Sequence, residues 1–207
     1  MKVMDTTNNS NNALVNFVKK HSVLTVIVLL LIILIPWCIS KYNGLVTLNE
    51  NCNEQWSKVE TQYQRRMDLI PNLVETVKGY ATHEQETLTK VIQARNKAVE
   101  TPATESSTVE YQQAQTNLTS ALRDLNFVVE RYPELKANEN FKELQSQLEG
   151  TENRISVERG RYAEVVKDYN KKIKAFPTNI VAKLFGFSAK EYYASEKGAE
   201  KAPEVKF

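Results

Sequence analysis

With 207 residues, the chain has room for a membrane anchor and one modest domain, and its 27 basic and 25 acidic side chains leave a net charge of only +2. That balance argues against a nucleic-acid binder, which needs a basic stripe to displace counterions. The charges alternate in sign along the chain, the pattern of solvated helix faces.

Between Lys20 and Lys41 lie 20 residues without Asp, Glu, Lys or Arg, centred on a run from Val23 to Ile35 that is apolar except for Thr25. Twenty helical residues cross a hydrocarbon core of roughly 30 Å, and a helix is the one single segment that satisfies its own backbone in lipid. Trp37 and Tyr42 fall at the far edge, where amphipathic aromatic rings settle at headgroup level. The competing reading is a cleaved secretory signal, with Lys19 and Lys20 as its basic region and residues 38–40 as a cutting site. The run exceeds the usual apolar region of about 7–15 residues, which favours an anchor that stays. A lipid-modified Cys38 is disfavoured because bulky Pro36 and Trp37 precede it.

Lys2, Lys19 and Lys20 flank the N-side, against Lys41 and Lys58 on the other. The positive-inside rule therefore expects a cytoplasmic N-terminus and a body on the outer face. Residues 1–21 read as a polar lead-in, 22–40 as the transmembrane helix, 41–188 as a helical bundle and 189–207 as a mobile charged tail.

From Leu45 the apolar positions step by three and four, through Leu48, Cys52, Trp56, Val59, Tyr63, Met67, Ile70 and Val77 to Ala81. Glu84 interrupts this seam, which resumes at Leu88 and Val91. A period near 3.5 is that of coiled-coil or bundle packing. Pro71 predicts a kink near Met67 and Ile70, and Gly79 a second soft spot. The first body helix is thus expected to run, bent, to about residue 100.

Turn and capping residues at 101–107 end it. A second helix follows over about 108–131, with Tyr111, Leu118, Leu122 and Leu125 on one face. Asn138 caps a third over about 139–176, with a seam of Phe141, Leu144, Leu148, Ile155, Tyr162, Tyr169 and Ile173, stopped by Pro177. A short apolar turn over 178–187 closes the body. The fold class is all-α: an anchor, then an antiparallel bundle of three long helices and a short C-terminal one.

At 1.5 Å per residue, the first body helix is roughly 85 Å, the second about 36 Å and the third about 57 Å. The second covers only the distal part of the first, so Leu48, Cys52, Trp56 and Val59 are expected to face solvent unless other copies or a partner cover them. Reversal of the chain near Pro71 would instead make a compact four-helix bundle and remove that need. Leu48, Cys52, Trp56, Val59 and Tyr63, with the charged patch of Arg65, Arg66 and Asp68, are the candidate contacts for a second copy or a partner.

Several sequence blocks now resemble one family. Trp56-Ser57-Lys58-Val59-Glu60, Gln64-Arg65-Arg66-Met67-Asp68-Leu69-Ile70-Pro71-Asn72-Leu73-Val74 and Val77-Lys78-Gly79-Tyr80-Ala81 with His83-Glu84 resemble the bacterial LemA family. So do Leu148-Glu149-Gly150-Thr151-Glu152-Asn153-Arg154-Ile155, Tyr169-Asn170, Phe176-Pro177-Thr178-Asn179 and Phe185-Gly186-Phe187, while Tyr42-Asn43-Gly44-Leu45-Val46 fits just after the anchor. The likeness covers residues 41–188. It implies a membrane-anchored helical bundle of the bacterial envelope, here at the cytoplasmic (inner) membrane with the body on its periplasmic face, no cofactor and no catalytic mechanism. It also hints at membrane zinc peptidases as partners, which gives an adaptor reading beside the scaffold one.

The remaining chemistry is thin. His83, Glu84 and Glu86 invite a metal reading, yet adjacent helical residues point about 100° apart and no second histidine stands at i+4. Arg65 and Asp68 suit a local i, i+3 ion pair rather than an anion site. Arg66, Glu84, Arg95 and Glu152 lie on or near the seams and are candidates for a polar layer that fixes helix register. Glu149, Glu152, Arg154, Glu158 and Arg159 lack any nucleophile motif beside them. Phe185, Phe187, Tyr192 and Tyr193 suggest docking onto the end of the bundle, with insertion into a membrane or partner as the other option. The expected role is therefore non-enzymatic: a self-associating scaffold on the bilayer, or an adaptor for a membrane protein.

Overall fold

The computed structural model describes residues 22–103 and 108–192, so the polar lead-in and residues 193–207 of the charged tail lie outside the described residues. Among the described residues there are six helices: α1 (Ser22–Lys78), α2 (Gln85–Glu100), α3 (Thr108–Val129), α4 (Pro133–Ala137), α5 (Glu139–Lys174) and α6 (Thr178–Leu184). Among the described residues there is no strand.

The apolar segment and the first body helix are one element. α1 continues through Pro36 and Pro71 for 57 residues, roughly 86 Å of helix. Its first turns, from Val23 to Ile35, carry large apolar side chains that are exposed almost throughout, as a lipid-facing helix requires.

The first body helix ends at Lys78 instead of running to residue 100. Pro71 does not break it; the reversal lies at residues 79–84, where the amides of Tyr80 and Ala81 both bond the Val77 carbonyl and that of Glu84 bonds the Ala81 carbonyl. Gly79 removes helix propensity, and the seam interruption at Glu84 marks the turn. α2 then runs back along α1, with Leu88, Val91 and Ala98 buried. α3 returns alongside α2, and α4 begins on Pro133 at its first position, where the missing amide costs nothing.

α5 begins as expected at Asn138, whose side-chain oxygen accepts from the amide of Phe141 at 2.9 Å. Its 36 residues, roughly 54 Å, run back down the part of α1 that belongs to the body. Two cores result. In the distal one, α1, α2, α3 and the start of α5 bury Ile70, Val77, Val91, Leu118, Leu125 and Phe141. In the proximal one, α1 packs mainly on α5 and α6, with Leu45, Cys52, Val59 and Tyr63 against Ile155, Tyr162, Val166, Tyr169 and Ile173, and Tyr111 at the start of α3 closes its upper end.

This pairing corrects the expectation of a bare proximal seam. Cys52, Val59 and Tyr63 are at most 2% exposed within the single chain, and Leu48 and Trp56 are half-buried. The reason is the length of α5, which with α6 covers this seam down to Leu45.

The body also extends slightly further than expected. Asn170 donates to the carbonyl of Lys190 and accepts from its amide, and the Tyr169 hydroxyl donates to the carbonyl of Ser188. The chain is thus docked to Lys190, beyond the expected boundary at residue 188.

Candidate functional site

Three constellations stand out along the rod, and each is built around a residue of α1. The first is Arg66, which lies one residue before the seam position Met67 and is 2% exposed. One guanidinium nitrogen, Nη1, donates to Glu152 at 2.5 Å and to the Thr119 hydroxyl at 3.1 Å. Nη2 donates to the side-chain carbonyl of Gln115 at 2.6 Å and to its backbone carbonyl at 3.3 Å. The guanidinium also lies over the Tyr63 ring at 5.2 Å. α1, α3 and α5 are thereby tied at one level, opening onto a cleft of about 250 Å³ between α3 and α5.

Of the residues considered for one polar layer, the fold joins Arg66 to Glu152 and separates the other two. Glu84 sits at the distal turn, where it accepts from Arg131 at 3.0 Å and from the Tyr132 hydroxyl at 3.2 Å. Arg95 reaches back to the carbonyl of Met67 at 3.4 Å. Gln115 and Thr119 are the partners that sequence reasoning missed. Their signal was present: Gln115 fills the gap between Tyr111 and Leu118 in the α3 seam.

The second constellation lies on the aromatic tier below. The Trp56 indole donates to the carbonyl of Ala103 at 2.8 Å and packs against Tyr111 and Tyr162. Gln55 donates to Glu158 at 2.6 Å, closing α1 onto α5. Burial pushes the Tyr162 hydroxyl up to about 12 and raises the Cys52 thiol, which therefore stays protonated and is a poor nucleophile.

The third is the base, where the Tyr42 ring meets Phe185 at 4.9 Å and Phe187 at 5.7 Å. Gly186 adopts φ +77°, a conformation that suits glycine. The amide of Phe187 then bonds the carbonyl of Ala182 at 2.9 Å, the six-residue closure of a Schellman cap. That cap turns both phenylalanines onto Tyr42. Trp37 lies one turn below, with the Lys41 ammonium 6.0 Å from its ring.

The charged patch is split by the helix. Arg66 points inward, while Arg65 and Asp68 are exposed. The expected Arg65–Asp68 ion pair is replaced, since Asp68 accepts from Gln64 at 2.8 Å. Among the described residues no three His, Cys, Asp or Glu side chains stand together as metal ligands. His83 is exposed, and Glu86 pairs with Lys90 at 2.6 Å.

An apolar helix running unbroken into an all-α bundle held by inward polar ties defines a membrane-associated helical-bundle protein. The LemA family model matches residues 55–207. The chain belongs to that family. It is 26% identical to magnetosome protein MamQ 2 of Paramagnetospirillum magneticum, over 89% of this chain and 76% of that one. It is 28% identical to protein LemA of Metamycoplasma hominis, over 76% and 71% of the two chains. Magnetosome protein MamQ of Magnetospirillum gryphiswaldense is 26% identical over 88% of this chain and 75% of its own.

Proposed function

We propose that this protein is a non-enzymatic scaffold of a bacterial inner membrane, with its N-terminus cytoplasmic and its body held off the outer face. The supporting observation is α1 itself: the segment that fits a bilayer and the helix that nucleates both cores are one element of 57 residues. A body joined to its anchor without a linker is presented at a fixed height, which suits positioning other proteins rather than turning over a substrate.

Self-association belongs to this reading, through a surface other than the internal seam. Ser57, Glu60, Thr61, Gln64, Arg65 and Asp68 line a shallow polar groove on the outer face of α1. It carries both signs of charge, so a two-fold arrangement can set Arg65 of one copy against acidic groups of another. The test uses a variant with Cys38→Ala, Cys52→Ala and Gln64→Cys, treated in membranes with a short bis-maleimide. A band at twice the chain mass, weakened by adding Arg65→Glu, is expected. Only monomer, in the crosslink and in native mass analysis in mild detergent, would refute self-association. A single heterologous band would replace it with the adaptor reading.

A further inference from the structure

The base of the rod carries an apolar surface that the bundle does not use. α6 buries one face, Thr178, Val181 and Ala182, against the body. On its other face Ile180 is 58% and Leu184 72% exposed, and they are flanked by Phe176 at 81% and Phe185 at 51%. Ile180 and Leu184 stand at i, i+4, so they form one stripe. Elsewhere in the body, exposed large apolar residues such as Phe127 and Val157 lie on separate helices; here four fall within ten consecutive residues.

Two independent observations say what this surface faces. The first is its level. Phe185 packs on Tyr42, while Phe187, Trp37 and Cys38 all pack on the same proximal core. Trp37 and Cys38 belong to the last turn of the uncharged run that ends at Ser40. The α6 foot therefore stands beside the point where α1 leaves the apolar zone. The second is charge. From Tyr169 to Ala189 the chain has four lysines, Lys171, Lys172, Lys174 and Lys183, and no acidic residue, although the whole chain is nearly neutral.

We propose that this foot is a second membrane contact, in which Phe176, Ile180, Leu184 and Phe185 enter the headgroup–acyl boundary beside the span and the surrounding lysines meet anionic headgroups. An amphipathic helix with apolar side chains on one face and lysines around it binds lipid in this way, and long lysine stems reach headgroups while their carbons cover apolar surface. The inference rests on the reading that residues 22–40 span the bilayer. Its consequence is mechanical: one span lets a rod swivel and tilt, whereas two contacts at its base fix its angle.

The experiment uses the full chain, with Cys38→Ala and Cys52→Ala, in vesicles of phosphatidylcholine and phosphatidylglycerol. A nitroxide is attached at Leu184→Cys, at Val28→Cys in the span or at Phe127→Cys on the distal body, and its collisions with oxygen and a water-soluble nickel chelate are compared. The Leu184 label is expected to favour oxygen over nickel several-fold more than the Phe127 label, and less than the Val28 label. If it matches Phe127 while Val28 favours oxygen, the foot proposal fails and the span stands. Shielding of Leu184 from both reagents means that protein covers it, and also overturns the proposal. Nickel access at Val28 removes the span reading, and this inference with it.

Discussion

Replacing Arg66 with alanine is expected to lower the stability of the bundle by about 3 kcal/mol, whereas Glu152→Gln is expected to cost only about 1 kcal/mol. The asymmetry follows from where the partners sit. The Arg66 side chain is 3% exposed and that of Glu152 is 49% exposed. Removing the arginine strips the buried Gln115 carbonyl groups of a charged donor, leaves a void against Tyr63 and frees three helices from one tie. Removing only the charge of Glu152 leaves an amide oxygen that can still accept, at a site water already reaches. Denaturation of the full chain in mild detergent, followed by far-UV circular dichroism, measures both. Equal losses in the two variants would mean that Arg66 acts as half of a surface pair and not as a three-helix tie.

Placing Leu30→Arg and Ile32→Asp together in the apolar segment is expected to release the protein from membranes. Each charge near the centre of a span costs about 2.5–3.5 kcal/mol on the insertion scale, and residues at i, i+2 do not face each other, so they cannot pair to offset it. Both positions are exposed, at 58% and 60%, so the body loses no packing. The control variant, Leu30→Ile with Ile32→Leu, is expected to stay in the carbonate-washed pellet while the charged one moves to the supernatant with its body helical. Retention of the charged variant would mean that something other than α1 holds the protein.

Much of this architecture is legible along the chain, because bundle helices announce themselves by period. Ile155, Tyr162 and Tyr169 fall seven apart on α5, and each is buried against α1. Asn138 marks the start of α5 by chemistry that local sequence carries. The reversal at residues 79–84 was harder to place, since proline is the stronger breaker in isolation while tertiary packing of Ile70, Leu73 and Val74 holds the helix through Pro71. Register between helices is not local at all. That α5 reaches the base of α1, covering Cys52 and Val59, depends on the short α2 adding one reversal in the distal half. Arg66 with Glu152 was suggested by position on the seams, but Gln115 became a partner only once α3 was set against α1. The docking of Phe185 and Phe187 was readable as apolarity at a chain end; its level beside Tyr42 was not.

The central claim is that one rigid helix joins the bilayer to the bundle, and a distance measurement across that junction tests it most directly. Spin labels at Ile33→Cys and Thr61→Cys, both exposed positions of α1, are 28 residues apart, or roughly 42 Å along a continuous helix. Pulsed dipolar spectroscopy of the cysteine-replaced chain, diluted in vesicles with an excess of unlabelled chain so that only pairs within one molecule are read, is predicted to give one narrow distribution near that value. A broad distribution, or a mean shortened well below it, would show a hinge between membrane and body and would contradict the account.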